Sequence, residues 1–442
     1  EYRPNSSLAH AGSIALGGNS INFTDVEPLV VYGLPDFHMV TPDDPASLAI
    51  DEINVANLQL GLLSLHTLTL DGVITWTQQT KLEIAQVPDL QHFSRAMAMS
   101  ADGTTLVVGA DQVRNGVAQK SGAVVVFNWD AVQARWVETA KLYAPDASAS
   151  GAGAGFGQAV AIGANKTIMV GAPQDSTNGV NAGAAYVFSP GFNGGWVLQK
   201  KILPAQSYTG DKFGARVAID GDTALVGNDS SGTGRAYFFT RVGPLWSDGL
   251  TEQAVAGYTG GAYPVGVAIL GNTAAFTKGF TGAIGQVLVY VRASAASPWV
   301  QSAALLPVDS LGREEFGAAI AMSAGRIVVG APAWSGPRTP LTSFGTEQDH
   351  GRAFIFEGSG ANWTITTTLT AEDGLPEATA AGEGMAGDRF GAAVAIQGDV
   401  VVVGASGVDS SDALDTGAAY VFVKLPPQGG LPGNWARSSG AT

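Results

Sequence analysis

Two kinds of short apolar run recur along this chain. In one, small and large apolar residues alternate and neither face is polar, as in Ala159-Val160-Ala161-Ile162. A strand buried on both faces reads this way, and small side chains on one side suit a strand near a crowded axis. The run follows an aromatic-glycine corner in Phe156-Gly-Gln-Ala-Val-Ala-Ile, Phe213-Gly-Ala-Arg-Val-Ala-Ile, Phe316-Gly-Ala-Ala-Ile-Ala-Met and Phe390-Gly-Ala-Ala-Val-Ala-Ile, with weaker copies from Phe93 and Tyr263. In the other kind a tryptophan opens a run whose apolar positions are separated by Thr, Gln or Lys, as in Trp136-Val-Glu-Thr-Ala-Lys-Leu and Trp363-Thr-Ile-Thr-Thr-Thr-Leu. That is the pattern of an outer strand with one wet face.

Between the two kinds lie two further strands. A tight hairpin, with turn residues such as Asp220-Gly221-Asp222 or Gly398-Asp399, leads into a strand ending in Val-Gly-Ala-Pro or a variant, at Gly109, Gly171, Gly227, Gly330 and Gly404. After a variable loop comes Gly183-Ala-Ala-Tyr-Val-Phe, Gly351-Arg-Ala-Phe-Ile-Phe or Gly417-Ala-Ala-Tyr-Val-Phe. Each unit is therefore a four-stranded antiparallel meander graded from a buried inner strand to a wet outer one. Tryptophans at 76, 136, 196, 246, 299, 363 and 435 mark the outer strands and recur every 50 to 72 residues, so the count predicts seven blades. Units that cannot bury their faces alone must close on one another. The predicted fold is an all-β, seven-bladed β-propeller of four-stranded antiparallel blades, a single domain over 1–442.

Phe-Gly, then Gly-Ala-Pro, then Gly-Ala-Ala-Tyr-Val-Phe resembles the FG-GAP repeat, known from the seven-bladed head of integrin α subunits and from bacterial and algal surface proteins. The resemblance covers residues 93–422. It is sharpest at Phe156/Gly171-Ala-Pro173, Phe316/Gly330-Ala-Pro332 and Phe390/Gly404-Ala-Ser406, and faintest near Tyr263, where Phe276-Thr-Lys replaces Val-Gly-Ala. It implies an extracellular or cell-surface protein that binds ligands through its loops. It also raises the question of Ca²⁺, which some integrin-like blades hold in an Asp-rich loop between their first two strands. The corresponding turns here, Gly163-Ala-Asn-Lys-Thr, Asp220-Gly-Asp, Ser323-Ala-Gly and Gln397-Gly-Asp, are too short and too poor in oxygen ligands, so no metal and no cofactor is expected.

The ends fit the repeat less well. A divergent first unit is expected over about residues 8–85, from Ser13-Ile-Ala-Leu, Pro28-Leu-Val-Val-Tyr and Leu62-Leu-Ser-Leu-His-Thr-Leu, with an insertion at 33–59. Six further units follow over about 93–442. A Pro/Gly-rich segment, 424–434, precedes the last outer strand at Trp435, which has only seven residues after it. The seam of the ring is the irregular place. The N-terminal strand either completes the last blade or pairs with a neighbouring molecule, because an unpaired outer edge is a template for strand addition.

Composition narrows the function. Charged residues make up 14% and glycine is abundant, which suits short buried strands and tight turns. A net charge of −15 argues against nucleic acid, and no polybasic segment suits an anionic membrane. No stretch approaches the apolar length of a membrane span. The absence of cysteine excludes disulfides and thiolate chemistry. A start at Glu1 without a signal-peptide pattern fits a mature chain or a trimmed one.

Five sequons, at Asn5, Asn22, Asn165, Asn228 and Asn362, predict an N-glycosylated protein. Meander geometry sends the loops between second and third strands, and those between blades, to one face. They comprise 134 residues and hold 23 of the 38 acidic residues but five of the 23 basic ones, so that face is acidic rather than merely polar. Asp175, Asp349, Asp388, Asp409, Asp412 and Asp415 are its candidate interaction residues, with divalent-cation bridging, a basic partner and plain solubility as competing readings. The five histidines, His10, His38, His66, His92 and His350, show no ligand spacing, and neither a nucleophile elbow nor a phosphate loop appears. Glu347, Asp349 and His350 with Trp334 form the one cluster that could serve a hydrolase.

The sequence thus reads as a non-enzymatic extracellular or cell-surface glycoprotein, an adhesive or structural propeller building block with protein or glycan partners. A homo-oligomer or a fibre built through the terminal strands is one version. An integrin-like ligand-binding head using the acidic face is the second reading, and a secreted hydrolase the third.

Overall fold

The computed structural model describes residues 2–4, 11–16, 19–24, 68–70, 73–75, 82 and 93–437, the last span excepting 114–120, 147–153, 230–232, 244, 247–249, 260–265, 279–284, 308–313, 335–350, 372–387, 409–416 and 426–434. The insertion 33–59 and most of 424–434 fall outside these residues. Two compact units divide the chain, Glu1–Thr77 and Gln78–Ser438. In the first, β1 (Tyr2–Pro4), β2 (Ala11–Leu16) and β3 (Asn19–Thr24) form a three-stranded sheet, and β4 (Leu68–Leu70) and β5 (Val73–Thr75) a separate hairpin.

The second unit is a β-propeller. Blade I is β6 (Phe93–Met99), β7 (Thr105–Ala110), β8 (Ala123–Asp130) and β9 (Arg135–Leu142). Blade II is β10 (Ala159–Ile162), β11 (Ile168–Ala172), β12 (Ala184–Pro190) and β13 (Trp196–Ile202), and blade III is β14 (Arg216–Asp220), β15 (Thr223–Gly227), β16 (Thr233–Arg241) and β17 (Leu250–Thr259). Blade IV comprises β18 (Val267–Leu270), β19 (Thr273–Lys278), β20 (Gln286–Val291) and β21 (Val300–Leu305). Blade V comprises β22 (Ala319–Ser323), β23 (Arg326–Ala331), β24 (Arg352–Ser359) and β25 (Asn362–Leu369). Blade VI ends the array with β26 (Phe390–Gln397), β27 (Val400–Ala405), β28 (Ala418–Lys424) and β29 (Trp435–Arg437). Each sheet pairs its strands in chain order and antiparallel, and the innermost strands neighbour one another from β6 through β10, β14, β18 and β22 to β26.

The described residues therefore build six blades, not the seven expected. The described strands of Glu1–Thr77 pair as three and two rather than as a four-stranded meander. Tryptophan spacing measures how much chain separates two outer strands; it does not fix which strands pair. The marker itself holds well for the six. Trp136, Trp196, Trp363 and Trp435 lie at the start of an outermost strand and Trp299 immediately before one, while Trp246 precedes β17 by four residues and is buried at 1% exposure. Trp76 lies outside the described residues.

The repeat motif is a packing unit. In blades II, III, V and VI the corner phenylalanine is fully buried and meets edge-on two aromatic rings of the third strand in its own blade. Phe156 lies 5.3 Å from Tyr186 and 6.1 Å from Phe188, and Phe390 lies 5.3 Å from Tyr420 and 6.1 Å from Phe422. Burying such a ring contributes about 2–3 kcal/mol, and each edge contact adds roughly 0.5–1.5 kcal/mol. Outer strands share a second device. In blades I, IV and V a β-bulge falls beside Thr139, Ser302 and Thr366, whose hydroxyls donate to the carbonyls of Val126, Val289 and Ile355. The hydroxyl satisfies an acceptor in the strand that the bulge disturbs.

Glycines join one blade to the next. A Cβ on Gly109 would stand 1.9 Å from the Gly157 carbonyl oxygen, one on Gly171 1.9 Å from that of Gly214, and one on Gly330 1.9 Å from that of Gly391. In blades I, II and V the second strand thus abuts the Phe-Gly corner of the following blade too closely for any side chain. Blade IV, the faint repeat, solves the same junction differently. Thr277 replaces the glycine, is completely buried, donates its hydroxyl to the Gly317 carbonyl at 2.5 Å and accepts from the Gly266 amide at 3.1 Å. Gly330→Ala is expected to lower stability by about 2–3 kcal/mol through this backbone clash, read as a shift of the urea midpoint with an unchanged slope.

Candidate functional site

Antiparallel meanders place the turns between strands one and two, and between three and four, on one side of each blade. The two-to-three loops and the blade linkers lie on the other. On that second side, beside blade II, is the most developed polar cluster among the described residues. Asp146 comes from the linker into blade II, Asp175 and Thr177 from its two-to-three loop, Tyr186 from β12 and Lys201 from β13. The Tyr186 hydroxyl lies 2.8 Å from Asp146 Oδ1 and 3.0 Å from Asp175 Oδ2. Lys201 Nζ donates to Asp146 Oδ2 at 2.5 Å, to Asp175 Oδ2 at 2.9 Å and to Thr177 Oγ1 at 2.7 Å. The ammonium also sits 5.2 Å from the Tyr186 ring centroid.

The local sequence explains the cluster. Asp175 takes the place held by apolar plugs in blades I and V, Val113 at 2% exposure and Trp334 at 4%, as the matching backbone bonds of Gly122, Gly183 and Gly351 to these residues show. Trp334 completes its own plug with the Arg352 guanidinium 4.7 Å above its ring. A carboxylate in this position needs a counter-charge, and Lys201 on the adjacent outer strand supplies it. Burial pushes the Asp175 carboxyl up, but the hydrogen bonds from Lys201 and Thr177 outweigh it and hold the group below the ordinary carboxylate range. Burial, then the Asp175 charge, raises the Tyr186 phenol far above its usual value, so it stays protonated. Lys201 also borders a shallow open groove of about 370 Å³, lined by Lys200, Ile202, Leu203, Ala205, Phe239 and Glu252. Glu252 is tied down there by the Ala205 amide at 2.9 Å.

This geometry corrects part of the acidic-face expectation. Asp175 is 8% exposed and turned into the blade, so it is a buried anchor and not a contact residue for a partner. Asp388 is half-buried beside the Phe390 corner, where its backbone carbonyl accepts from Gly407. Asp349, Asp409, Asp412 and Asp415 lie outside the described residues, as do Glu347 and all five histidines, so of the candidate hydrolase cluster only Trp334 is described. Lys201 was not singled out from sequence; the signal was a second lysine in Trp196-Val-Leu-Gln-Lys-Lys-Ile, two strands from an aspartate at an otherwise apolar plug position.

The sequons separate in the same way. Asn165, on a short 3-10 turn after β10, and Asn362, at the start of β25, are both exposed and lie on the side opposite the acidic loops. Asn228 is 2% exposed, with its Oδ1 accepting from the Arg235 amide at 2.5 Å and its Nδ2 buried, which leaves no room for a glycan. Asn22 is in β3, opposite Ser13, and Asn5 is outside the described residues. On the turn side, Asp220 accepts from the Gly271 amide and Asp222 from Arg241, so the two carboxylates considered for Ca²⁺ serve as blade-to-blade and strand ties.

Fold and repeat together define the class: an all-β propeller whose blades are built on the Phe-Gly corner. The chain carries FG-GAP repeats, the family model matching residues 136–188, 196–239, 299–356 and 376–422. No curated protein matches the sequence. Among solved structures the chain is similar to a periplasmic gluconolactonase of Pseudomonas aeruginosa, at 14% identity and TM-score 0.45 over 78% of this chain and 88% of that one. It is also similar to a putative 6-phosphogluconolactonase of Bacteroides fragilis, at 12% identity and TM-score 0.46 over 78% and 83%, and to a protein from Lactobacillus plantarum, at 13% and 0.46 over 80% and 86%. Among the described residues no helix is long and apolar enough to cross a membrane.

The Asp175–Lys201 pair sets a stability prediction. Lys201→Met leaves a nearly buried carboxylate without its cation and should cost about 2–4 kcal/mol in denaturant unfolding. Because the folded Asp175 carboxyl is held down, its contribution is present above the unfolded value near 4 and is lost as pH falls below it; Asp175→Asn should flatten the stability profile in that acid range.

Proposed function

We propose that this protein is a non-enzymatic extracellular or cell-surface glycoprotein whose propeller is a rigid adhesive or structural building block, with protein or glycan partners. The observation that carries this reading is the mutual satisfaction of the Asp146–Asp175–Tyr186–Lys201 network. Its carboxylates are taken up by the ammonium and the phenol, and the phenol is held protonated, so the network braces a blade rather than offering a base or a nucleophile. Partners are met by the loop side, whose remaining carboxylates at Asp409, Asp412 and Asp415 follow β27, and glycans shield the turn side through Asn165 and Asn362.

The test is the intact mass of the protein from its native source. A glycan increment removed in two steps by Asn165→Gln and Asn362→Gln supports the reading, with Asn228→Gln changing nothing. A mass equal to that of the bare polypeptide sinks the glycoprotein assignment.

A further inference from the structure

The loop side of blade III carries an exposed aromatic residue on a rigid base. Strand pairing sets Ala236 opposite Gly227 and Ala353 opposite Gly330, so Arg235 and Arg352 hold the same place in their blades. Arg352 lies 4.7 Å above the ring of Trp334, which comes from its own blade's long loop and is 4% exposed. In blade III that loop is only residues 228–232. Asn228 closes directly on Arg235, its backbone amide donating to the Arg235 carbonyl at 3.2 Å and its Oδ1 accepting from the Arg235 amide at 2.5 Å. The guanidinium turns instead to two phenols, donating to the hydroxyls of the buried Tyr237 and of Tyr208 in the linker from blade II. Its Cζ lies 5.6 Å from the Tyr208 ring centroid, and Tyr208 is 57% exposed. The same arginine thus serves a buried ring in one blade and an open one in another.

The backbone under Tyr208 is fixed. Its amide donates to Asp211 Oδ2 at 2.7 Å and its carbonyl accepts from the Asp211 amide at 3.1 Å. Gly210 and Lys212 donate to the Val180 and Asn181 carbonyls of the neighbouring loop at 2.9 and 3.0 Å. The two loops bring to this place Val180, 63% exposed, the exposed Asn178, whose carbonyl accepts from Ser207 Oγ, and Lys212 beside Asp229 at 3.8 Å. Two exposed apolar side chains offer a surface the size of one sugar ring, far short of the roughly 800 Å² per partner that a specific protein interface buries. Arg235 and Lys212 are balanced by Asp211 and Asp229, so the patch presents donors and acceptors together without a local excess of either charge. The net charge of −15 repels a polyanion.

The geometry points to a subsite for a neutral hexose of a glycan, formed by Tyr208, Val180, Arg235, Asn178 and Asp229. The apolar face of the sugar packs on Tyr208 and Val180. A guanidinium has more N–H groups than two phenols take, so Arg235 donates to the sugar hydroxyls while Asn178 and Asp229 accept from them. A tyrosine on a fixed backbone loses little freedom on binding, and tyrosine and arginine are enriched at binding hot spots for such reasons. The subsite rests on the reading above, in which the loop side meets protein or glycan partners, and it names the glycan chemistry.

The probes are maltohexaose, cellohexaose, laminarihexaose and mannohexaose, titrated into the full chain by isothermal calorimetry, with hexagalacturonate as the charged counterpart. At least one neutral hexamer should bind saturably. Tyr208→Ala and Val180→Glu should each raise its Kd about tenfold or more, and Tyr208→Trp should keep it within about threefold. Phe192→Ala, which removes a fully exposed ring from the β12–β13 turn on the opposite side, should leave it unchanged. Tm of Tyr208→Ala should stay within about 2 °C of the parent. No saturable binding, binding of hexagalacturonate alone, or binding indifferent to Tyr208→Ala overturns the proposal. A larger fall in Tm also does so, because Tyr208 would then be a packing residue. None of these outcomes touches the glycan mass at Asn165 and Asn362, so failure of the subsite and failure of the glycoprotein reading are distinguished.

Discussion

The junctions after blades I, II and V hang on how closely one blade's second strand approaches the next blade's corner. At under 2 Å from a carbonyl oxygen to where a Cβ would lie, only a hydrogen fits there, and this steric demand propagates in both directions. It brings the sheets near enough for alternating small and large residues to interdigitate, so Ala, Val and Ile suffice for the inner strands. It also holds the corner residue before each phenylalanine in a left-handed conformation even where it is Lys212, Glu315 or Arg389. Such residues adopt that conformation only where their surroundings enforce it. The aromatic triad then secures the corner within its own blade, so each repeat contributes one contact forward and one inward.

Much of this was legible in the sequence because the constraint is local. Phe-Gly, the paired glycines and the aromatic alternation of Ala-Ala-Tyr-Val-Phe state the steric and packing requirements directly, and four-stranded meanders follow from them. Blade number was not legible. It depends on which strands pair in residues 1–77, where the motif that governs pairing is absent, and a tryptophan at 76 adds a spacing without adding a corner. Burial was misread where a single substitution changes what a loop position does. Asp175 looks like one more surface acid until Tyr186 and Lys201 are seen converging on it, and Asn228 looks like a sequon until Arg235 claims its amide oxygen. The hydroxyls at the outer-strand bulges, Thr139, Ser302 and Thr366, were visible as letters but not as a device, since a bulge has no sequence mark of its own.

The polar groups divide along the same lines. Ties on the turn side run between strands and between hairpins: Lys166 to Asp102 and Thr104, Asp220 to Gly271, and Arg326 to Glu357 and Asp399. Lys424 reaches Glu357 as well, and its hydrogen bond, offset in part by burial and reinforced by Arg326, holds that carboxyl below its ordinary range. Arg326 also covers the Trp435 ring at 5.6 Å, so the short last strand β29 is held by a guanidinium from the blade before it. On the loop side the described ties include the inward network at Asp175, the Arg389–Glu315 pair that joins the corners of blades V and VI at 2.8 Å, and Lys212 beside Asp229 at 3.8 Å.

Thr277 shows what happens when a repeat loses its glycine. Its hydroxyl spans from the Gly266 amide to the Gly317 carbonyl, turning a contact that depended on the absence of an atom into one that depends on the presence of one. A chain that can make this exchange is not bound to identical modules. Once one joint is held by a hydrogen bond, the blade behind it is released from the motif, and its strands and loops can drift in sequence while the ring keeps its shape. Blade IV, the least repeat-like of the six described, is the one whose joint is held this way.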